Sequence, residues 1–305
     1  MPQIYPMFMN YLLRSKDIIG QINDLSYGVT DFRKRLYWKS FVKVSCQLPS
    51  LVEQQKIASI LTTQDKLISL QEQKVESLKK LKKAYLEKMF PKKGSRYPEL
   101  RFKGFTDAWK QRKLSEILEI ATRKNGNQYT KQDVLSVSDE FGCVNQIRFQ
   151  GRSFAGEDIS NYKVVETGDI IYTRSPLQAK PFGIIKIVAE ETGIISPLYI
   201  VNVTTEGNDS KFIYYCFDTP QKTNNYLSPL VRKGVKNTMN ISNDEWLSGE
   251  IMVSPYYEEQ KRIAEFLTSV DGLITLHQRK LEAEKKKKKA LMQLLLTGKV
   301  RCVND

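Results

Sequence analysis

The chain has 305 residues, a formal net charge of +14 and an isoelectric point near 9.4. This length suffices for about two domains. The basic excess favours a polyanionic partner, although the lysine-rich helices of any soluble protein would give the same total. Residues 101–255 are almost neutral, and the excess lies in the flanking segments. This distribution argues against a basic domain that simply coats nucleic acid.

The residue types and motifs that many enzymes and metal sites need are scarce. The chain has one histidine, His277, and it contains no Walker sequence, GxGxxG or HExxH motif. Its cysteines are far apart, which favours reduced thiols. No apolar run approaches the roughly 20 residues of a membrane span, and the N-terminus lacks a signal-peptide pattern. We therefore expect a cytoplasmic, non-enzymatic protein without a metal, a cofactor or a membrane partner.

Residues 1–50 carry short predicted elements. Met7–Leu13 predicts a helix of one or two turns, Arg33–Trp38 is a basic and aromatic cluster, and Phe41–Val44 predicts a strand. Leu48–Ser50 then predicts a break, because proline lacks a backbone donor and serine can cap the following helix.

Two long helices are predicted, over 51–90 and 256–297. In each, apolar residues recur at spacings of three and four. A helix of this length is a rod of roughly 60 Å, and such a rod cannot bury its apolar stripe on a small core. We therefore expect the two helices to pack together. Their lysine-dense stretches, Lys79–Lys83 and Lys285–Lys289, either keep the helices soluble or attract the phosphate backbone of DNA.

The two helices are copies of one unit. Glu53–Phe90 and Glu259–Leu296 align without a gap at an offset of 206 residues, with 17 of 38 positions identical. Both begin Glu-Gln-x-[Lys/Arg]-Ile-Ala, and weaker similarity reaches upstream to Phe8 against Tyr214. A repeat of this kind indicates a duplicated architecture, in which the first copy lacks its front half.

Between the long helices the sequence predicts a compact mixed domain, so the fold class is α+β. Turn residues separate short β-rich runs, which is typical of a sheet or barrel. The predicted strands are Val134–Val137, Tyr162–Val165, Asp169–Tyr172, Gly183–Val188, Leu198–Val203 and Ile251–Pro255, and the predicted helices are Leu114–Leu118, Lys211–Thr219 and Pro220–Leu227.

One segment of this domain has the chemistry of a DNA contact. Gly168–Pro176 predicts a strand that runs into a tight turn and presents Tyr172, Arg174 and Ser175 together. Arginine can donate two hydrogen bonds to guanine in the major groove, and serine or tyrosine suits a phosphate or a base edge. Further candidates for DNA contact bracket this segment: Arg148, Arg152, Lys163, Lys180, Lys186, Lys233, Lys236 and Asn237. The alternative is a buried strand followed by an ordinary solvated loop.

Several motifs together resemble the specificity subunit of a type I restriction-modification system. Pro98–Leu114 resembles the start of a target-recognition domain, and Gly168–Pro176 and Ile195–Tyr199 resemble parts of its body. The two Glu-Gln-x-[Lys/Arg]-Ile-Ala openings are the most specific of these signals. The likeness covers essentially the whole chain.

This resemblance implies two target-recognition domains, each followed by a conserved long helix, with the helices packed as an antiparallel coiled coil. Each target domain would read one half of a bipartite site in double-stranded DNA. The helices would set the spacer between the halves and dock methyltransferase subunits, which a restriction subunit can join. S-adenosylmethionine and ATP would bind only those partners, so no cofactor is expected on this chain.

The same resemblance divides the chain into four parts. Residues 1–50 correspond to the C-terminal remnant of a first target-recognition domain, and 51–97 to the first conserved helix and a linker. Residues 98–255 form the second target-recognition domain, and 256–305 the second conserved helix and a tail. The chain departs from the family pattern in its first domain, which keeps only its end. Residues 1–50 are therefore expected to be mobile or to pair with another chain, because their strand edges lack partners.

Several alternatives stay open. One alternative is that the gene is truncated or rearranged, and another is that a separate polypeptide supplies the rest of the first target-recognition domain. Alternatively, two copies pair as a homodimer through their long helices, which would read an inverted repeat. Hypotheses of other classes are an inactive or regulatory scaffold that binds the methyltransferase without reading DNA, and an adaptor whose head binds protein or RNA.

Overall fold

The computed structural model describes residues 3–28, 34–174, 176–178, 180–233 and 239–302. They form two compact units. The first unit is Met1–Lys79 with Gly272–Asp305, and the second unit is Lys80–Asp271. These boundaries fall inside both long helices, whereas the sequence predicted new parts at residues 51, 98 and 256.

Helices occur in both units, and their spans are as follows: α1 Pro6–Leu12, α2 Lys16–Asp24, α3 Trp38–Phe41, α4 Leu51–Lys88, α5 Gln146–Gln150, α6 Ser210–Tyr215, α7 Pro220–Leu227, α8 Asn243–Ser248 and α9 Tyr257–Leu295. The prediction of two long helices is confirmed to within two residues at each end. The prediction for α7 is confirmed at both ends.

All described strands belong to the second unit: β1 Lys110–Lys113, β2 Leu118–Ile120, β3 Leu135–Ser138, β4 Gly142–Asn145, β5 Lys163–Val165, β6 Ile170–Tyr172, β7 Ile185–Ile187, β8 Gly193–Ile195, β9 Ile200–Thr204, β10 Arg232–Lys233, β11 Met239–Asn240 and β12 Glu250–Val253. A four-stranded antiparallel sheet has the order β2-β9-β6-β7. Two-stranded antiparallel pairs join β1 to β12, β3 to β4, β5 to β8, and β10 to β11. The α+β class is confirmed.

Two local predictions are wrong. Phe41–Val44 is not a strand, because Trp38–Phe41 forms a helical turn and the chain that follows is irregular. At Ser45 both backbone polar groups bond the side-chain amide of Gln21, each at 3.0 Å, rather than another strand. The five-residue helix predicted over Leu114–Leu118 is only a 3₁₀ turn over Leu114–Glu116, which Ile117 joins to β2.

The core of the first unit joins α1 and α2 to parts of both long helices. Its buried members are Phe8, Tyr11, Leu12, Ile18, Ile57, Ala58, Leu61 and Leu295. Within this unit the long helices run antiparallel: Gln64 donates to the Glu284 carbonyl oxygen at 3.2 Å, and Gln71 to that of His277 at 2.9 Å. The residue numbers of the contacts therefore decrease along α9 as they increase along α4.

The core of the second unit is organised around a buried tryptophan. Trp246 is fully buried and its ring stacks on Tyr172, with the ring centres 4.9 Å apart. The indole N–H donates to the side-chain oxygen of Asn202 at 2.8 Å, and the Asn202 amide donates to the Ile170 carbonyl at 2.8 Å. Both polar groups are therefore satisfied inside the apolar core, which links α8 to the central sheet.

The repeated Glu-Gln opening places a buried carboxylate at the start of each long helix. Glu53 and Glu259 are 1% and 0% exposed. Glu259 accepts two hydrogen bonds from the Arg101 guanidinium, at 2.6 and 2.8 Å. Glu53 accepts two from Arg301, at 2.9 and 2.8 Å, and these bonds lower the pKa of the Glu53 carboxyl. Bidentate pairing of this kind offsets the cost of burying the charge.

The glutamine of the same motif anchors backbone in each unit. Gln54 accepts from the Tyr5 backbone N–H at 2.8 Å and donates to the Pro49 carbonyl at 2.9 Å. Gln260 accepts from the Asp209 N–H at 2.9 Å and donates to the Ser254 carbonyl at 2.9 Å. The side chain thus ties the start of a long helix to the start of α1 or α6.

A tyrosine–aspartate contact also recurs. The Tyr11 hydroxyl donates to Asp65 at 2.7 Å in the first unit, and the Tyr215 hydroxyl donates to Asp271 at 2.8 Å in the second. This pairing shows that α1 and α6 are equivalent parts of the duplicated architecture.

The equivalence corrects the alignment of the region before the long helices. Tyr11 and Tyr215 are 204 residues apart, so Phe8 matches Phe212 rather than Tyr214. Phe8 and Phe212 are 1% and 0% exposed. The same offset holds at the caps of α2 and α7, where Ser15 and Thr219 each accept from a backbone N–H three residues ahead. The offset is 206 in the long helices, so the second copy has two residues more than the first between these caps and the start of its long helix.

Replacing Glu259 by glutamine tests the carboxylate contact. Arg101, whose side chain is 13% exposed, would lose its counter-ion, and we expect the free energy of unfolding to fall by about 3 kcal/mol. Urea unfolding followed by tryptophan fluorescence measures this, because Trp109 and Trp246 are both buried in the second unit. The matched control is Glu258→Gln at an exposed neighbour, where the change should stay within about 0.5 kcal/mol. Equal midpoints for the two variants would contradict the account.

Candidate nucleic-acid interface

The predicted Gly168–Pro176 segment is a buried strand that leads into a turn between β6 and β7. The turn begins with a fixed residue pair: the Thr173 N–H donates to the Ile184 carbonyl at 3.0 Å, and the Ile184 N–H donates to the Thr173 hydroxyl at 3.3 Å. Arg174 follows with a φ of 54°, in the left-handed region. This pairing therefore fixes the backbone immediately before this arginine.

Arg174 and Lys163 are cations that influence each other through their charge. Arg174 is half-buried, and its Nε is buried without a hydrogen bond in the described part of the chain. Lys163 donates to the Tyr199 carbonyl at 2.6 Å. Burial and the neighbouring Arg174 guanidinium lower the pKa of Lys163. The fold thus holds two like charges near each other.

A second pair of cations, Lys180 and Lys186, shares one carboxylate. Lys180 contacts Asp139 at 2.5 Å and Lys186 contacts the same oxygen at 3.4 Å. Burial and the nearby Lys180 lower the pKa of Lys186. We refer to these two lysines, with Lys163 and Arg174, as the cationic cluster of the β6–β7 turn. Asp139 pairs with two of its four cations, and Asp218 also acts on Lys186 through its charge.

Three of the predicted DNA contacts are buried. Tyr172 is 0% exposed, and its hydroxyl donates to the Phe182 carbonyl at 2.6 Å. Lys180 and Lys186 are 6% and 7% exposed. The expectation that Tyr172 reaches DNA directly is corrected, because its ring is enclosed and its hydroxyl is already bonded. The two lysines can act on DNA through their charge, while their side chains stay on Asp139.

The remaining candidates have other surroundings. Arg148 is exposed and pairs with Glu191, and the Arg152 guanidinium lies 4.6 Å from the centre of the Phe154 ring. Lys233 lies in β10, and its side chain is outside the described residues. Ser175, Lys236 and Asn237 also lie outside them.

Sequence reasoning missed two residues of this site. Asp139 follows β3 and lies more than 40 residues from both of its lysines, so no local pattern indicates it. Gly183 packs against the turn, where a Cβ atom would lie 2.7 Å from the Tyr172 ring and 3.1 Å from the Arg174 Cα. A glycine before a β-rich run was visible in the sequence, but its contact with Arg174 was not.

The described ranges contain no cluster of three or more histidine, cysteine, aspartate or glutamate side chains able to hold a metal ion. None of the helices in those ranges is long and apolar enough to span a membrane.

Comparison with known families decides the class of this chain. The family model described as type I restriction modification DNA specificity domain matches residues 7–80 and 106–285. The chain belongs to this family. The resemblance inferred from the sequence motifs is thereby confirmed, and the specificity-domain match includes the cationic cluster and most of both long helices.

Curated relatives agree with this assignment. The specificity subunit of the type I restriction enzyme MjaVIII of Methanocaldococcus jannaschii is 26% identical over 314 residues, which cover 98% of this chain and 71% of that subunit. A second specificity subunit of that organism, named for the MjaX type I enzyme, is 26% identical over 316 residues and covers 98% and 69%. This chain is therefore shorter than both relatives.

Solved structures share the fold. The S subunit of a type I restriction-modification system from M. genitalium matches with a TM-score of 0.59 at 12% identity, over 96% of this chain and 73% of that one. A chain from a study of complex assembly and conformational transition of the type I system matches with a TM-score of 0.54 at 17% identity, over 97% and 72%. At these identities the likeness is one of fold.

Removing the carboxylate of the cationic cluster tests its role. Asp139→Asn would leave Lys180 and Lys186 without their acidic partner, so we expect tighter duplex binding. We also expect the slope of log Kd against log salt to steepen by up to about 1. Fluorescence anisotropy of a labelled duplex over a series of salt concentrations measures both. The matched control is Glu140→Gln, which removes an exposed carboxylate beside it. Identical slopes in wild type and both variants would show that the cluster does not face DNA.

Proposed function

We propose that this chain is the DNA sequence-specificity subunit of a type I restriction-modification complex, and that its second unit reads one half of a bipartite site. The observation that carries the proposal is the cationic cluster around the β6–β7 turn. Residues 101–255 are nearly neutral overall, yet neighbouring cations here lower the pKa of both Lys163 and Lys186. A polyanion offers the charge that would relieve it.

The cluster combines two kinds of DNA contact. Lys163, Lys180 and Lys186 supply positive charge, which attracts phosphates and positions a protein on the duplex without reading bases. Arg174 offers a planar fork of donors that fits the acceptor pair of guanine in the major groove. Because its Nε is buried, the exposed part of the guanidinium would have to make this contact.

The long helices are proposed to act as the spacer and to dock the methyltransferase subunits. Two leucine pairs occupy equivalent positions of the repeat and are exposed within the first unit: Leu67 and Leu273 at 45% and 47%, and Leu70 and Leu276 at 62% and 46%. Large apolar side chains that recur at matching exposed positions support a protein-docking surface on each helix.

The remaining parts of the proposal concern partners. S-adenosylmethionine, ATP and the catalytic groups would belong to the methyltransferase and restriction subunits, and this chain would contribute recognition and no catalysis of its own. The complex would act in the cytoplasm, where its DNA substrate lies. Pairing of two copies through the long helices would give two identical recognition units.

A second candidate function has an observation in its favour. Burial of Tyr172, Lys180 and Lys186 removes three expected contacts from the surface, which suits a regulatory scaffold that binds the methyltransferase but does not read DNA. The exposed leucines of the helices would serve either role. Binding of nucleic acid distinguishes the two.

A mobility-shift comparison tests the proposed function. The full chain, assembled with its methyltransferase, is incubated with duplex DNA and with duplex RNA of the same sequence, each at low and at physiological salt. The methyltransferase alone is the control. We expect this chain to increase binding to duplex DNA in preference to RNA, and the affinity to fall steeply with salt. Binding that is the same with and without the chain would favour the scaffold, and equal binding to RNA would favour an adaptor.

A further inference from the structure

Arg174 has a backbone conformation that its residue type rarely adopts. Among the described residues, Asn127 and Arg174 are the non-glycine positions with positive φ, at 70° and 54°. Asparagine tolerates this region because its short side chain can bond locally, whereas other residues adopt it at a cost of about 1 kcal/mol. Such a conformation persists only where the surrounding structure enforces it, and it occurs often at functional sites.

The surroundings that enforce it centre on Gly183. This glycine has a φ of 112°, and a Cβ there would lie 2.7 Å from the Tyr172 ring and 3.1 Å from both the Cα and the N of Arg174. The Tyr172 ring cannot move away, because it stacks on Trp246 and its hydroxyl bonds the Phe182 carbonyl. Any side chain at position 183 would therefore push the Arg174 backbone out of place.

The Arg174 side chain has an unsatisfied hydrogen-bond donor. Its Nε is buried and has no hydrogen bond among the described residues, and a buried donor left unpaired is costly. The proximity of Lys163, another cation, adds repulsion. Arg174 is only half-buried, so a ligand that brings two acceptors to the exposed part of its guanidinium would offset that repulsion. On DNA, the guanine edge and a phosphate group both offer such acceptors.

We infer that Gly183 is a positioning residue that presets Arg174 to donate bidentately to a guanine of the target half-site, an inference that rests on the proposed function. A fixed backbone and a partly enclosed side chain suit a directional contact with a base edge. A phosphate needs no such fixing, because it can be met by a point charge without the planar fork of an arginine. The buried Tyr172 thus contributes to recognition indirectly, by backing the glycine that shapes the turn.

Selection from a pool of random duplexes tests the inference. The full chain, assembled with its methyltransferase, is compared as wild type, Arg174→Lys, Gly183→Ala and Gly156→Ala. Lysine keeps the charge but lacks the planar fork. Gly156 is the matched control, because a Cβ there meets nothing within 4 Å. The recovered sequences are counted at each position of the selected motif, and total duplex affinity is measured in parallel.

We expect wild type and Gly156→Ala to select the same motif with at least one required guanine. Arg174→Lys and Gly183→Ala should both lose preference for that guanine by about 10-fold to 100-fold, with the other positions of the motif retained. A merely structural role for Gly183 would instead weaken all positions together. If Gly183→Ala does not fold, Arg174→Lys alone decides whether the guanine is read by this side chain.

Four results would overturn the inference. An unchanged motif in both variants would show that Arg174 does not read a base. An unchanged motif with uniformly weaker binding and a shallower salt slope would assign Arg174 to a phosphate. Loss in Arg174→Lys but not in Gly183→Ala would remove the positioning role of the glycine. Selection of no motif by the wild type would instead overturn the proposed function itself, and the inference with it.

Discussion

A buried carboxylate at the start of each long helix is the contact on which both units depend. Glu53 and Glu259 are almost completely enclosed, and each is neutralised by an arginine from the chain that follows the other long helix, Arg301 and Arg101 respectively. An uncompensated carboxylate at these positions would be strongly destabilising, so the arriving segment is held in one register against the helix. The preserved Glu-Gln opening of the repeat therefore reflects the building of the frame and not the reading of DNA.

Some parts of the fold could be predicted from the sequence and others could not. The long helices were predictable because their apolar residues recur over about ten turns, and the internal repeat indicated that the two helices are equivalent. By contrast, β1 consists of Lys110–Lys113 and has no apolar residue, so it is a strand only because β12 pairs with it over four residues. Phe41–Val44 has strand composition, but no strand of the described ranges pairs with it, and it takes another conformation. Short strands depend on partners that local sequence does not indicate.

The candidate site was also predictable only in part. Arg174 was predicted from the chemistry of its side chain and from its place after a strand. Its left-handed backbone and its dependence on Gly183 come from contacts across the turn. Tyr172 was expected to face DNA, but Trp246, far along the chain, encloses its ring. Residue type alone therefore indicated which side chains could contact DNA, and tertiary packing decided which of them are free to do so.

The central claim is that this chain decides where its methyltransferase acts. The most direct test is a genome-wide map of methylated bases in cells that carry the chain and its cognate methyltransferase, compared with cells that lack only this chain. The account predicts a bipartite methylated motif that disappears when the chain is absent. If the two halves form an inverted repeat, two copies of this chain are paired. If the halves differ, another recognition domain reads the second half. Methylation of the same sites in both strains, or of no defined motif in either, would contradict the claim.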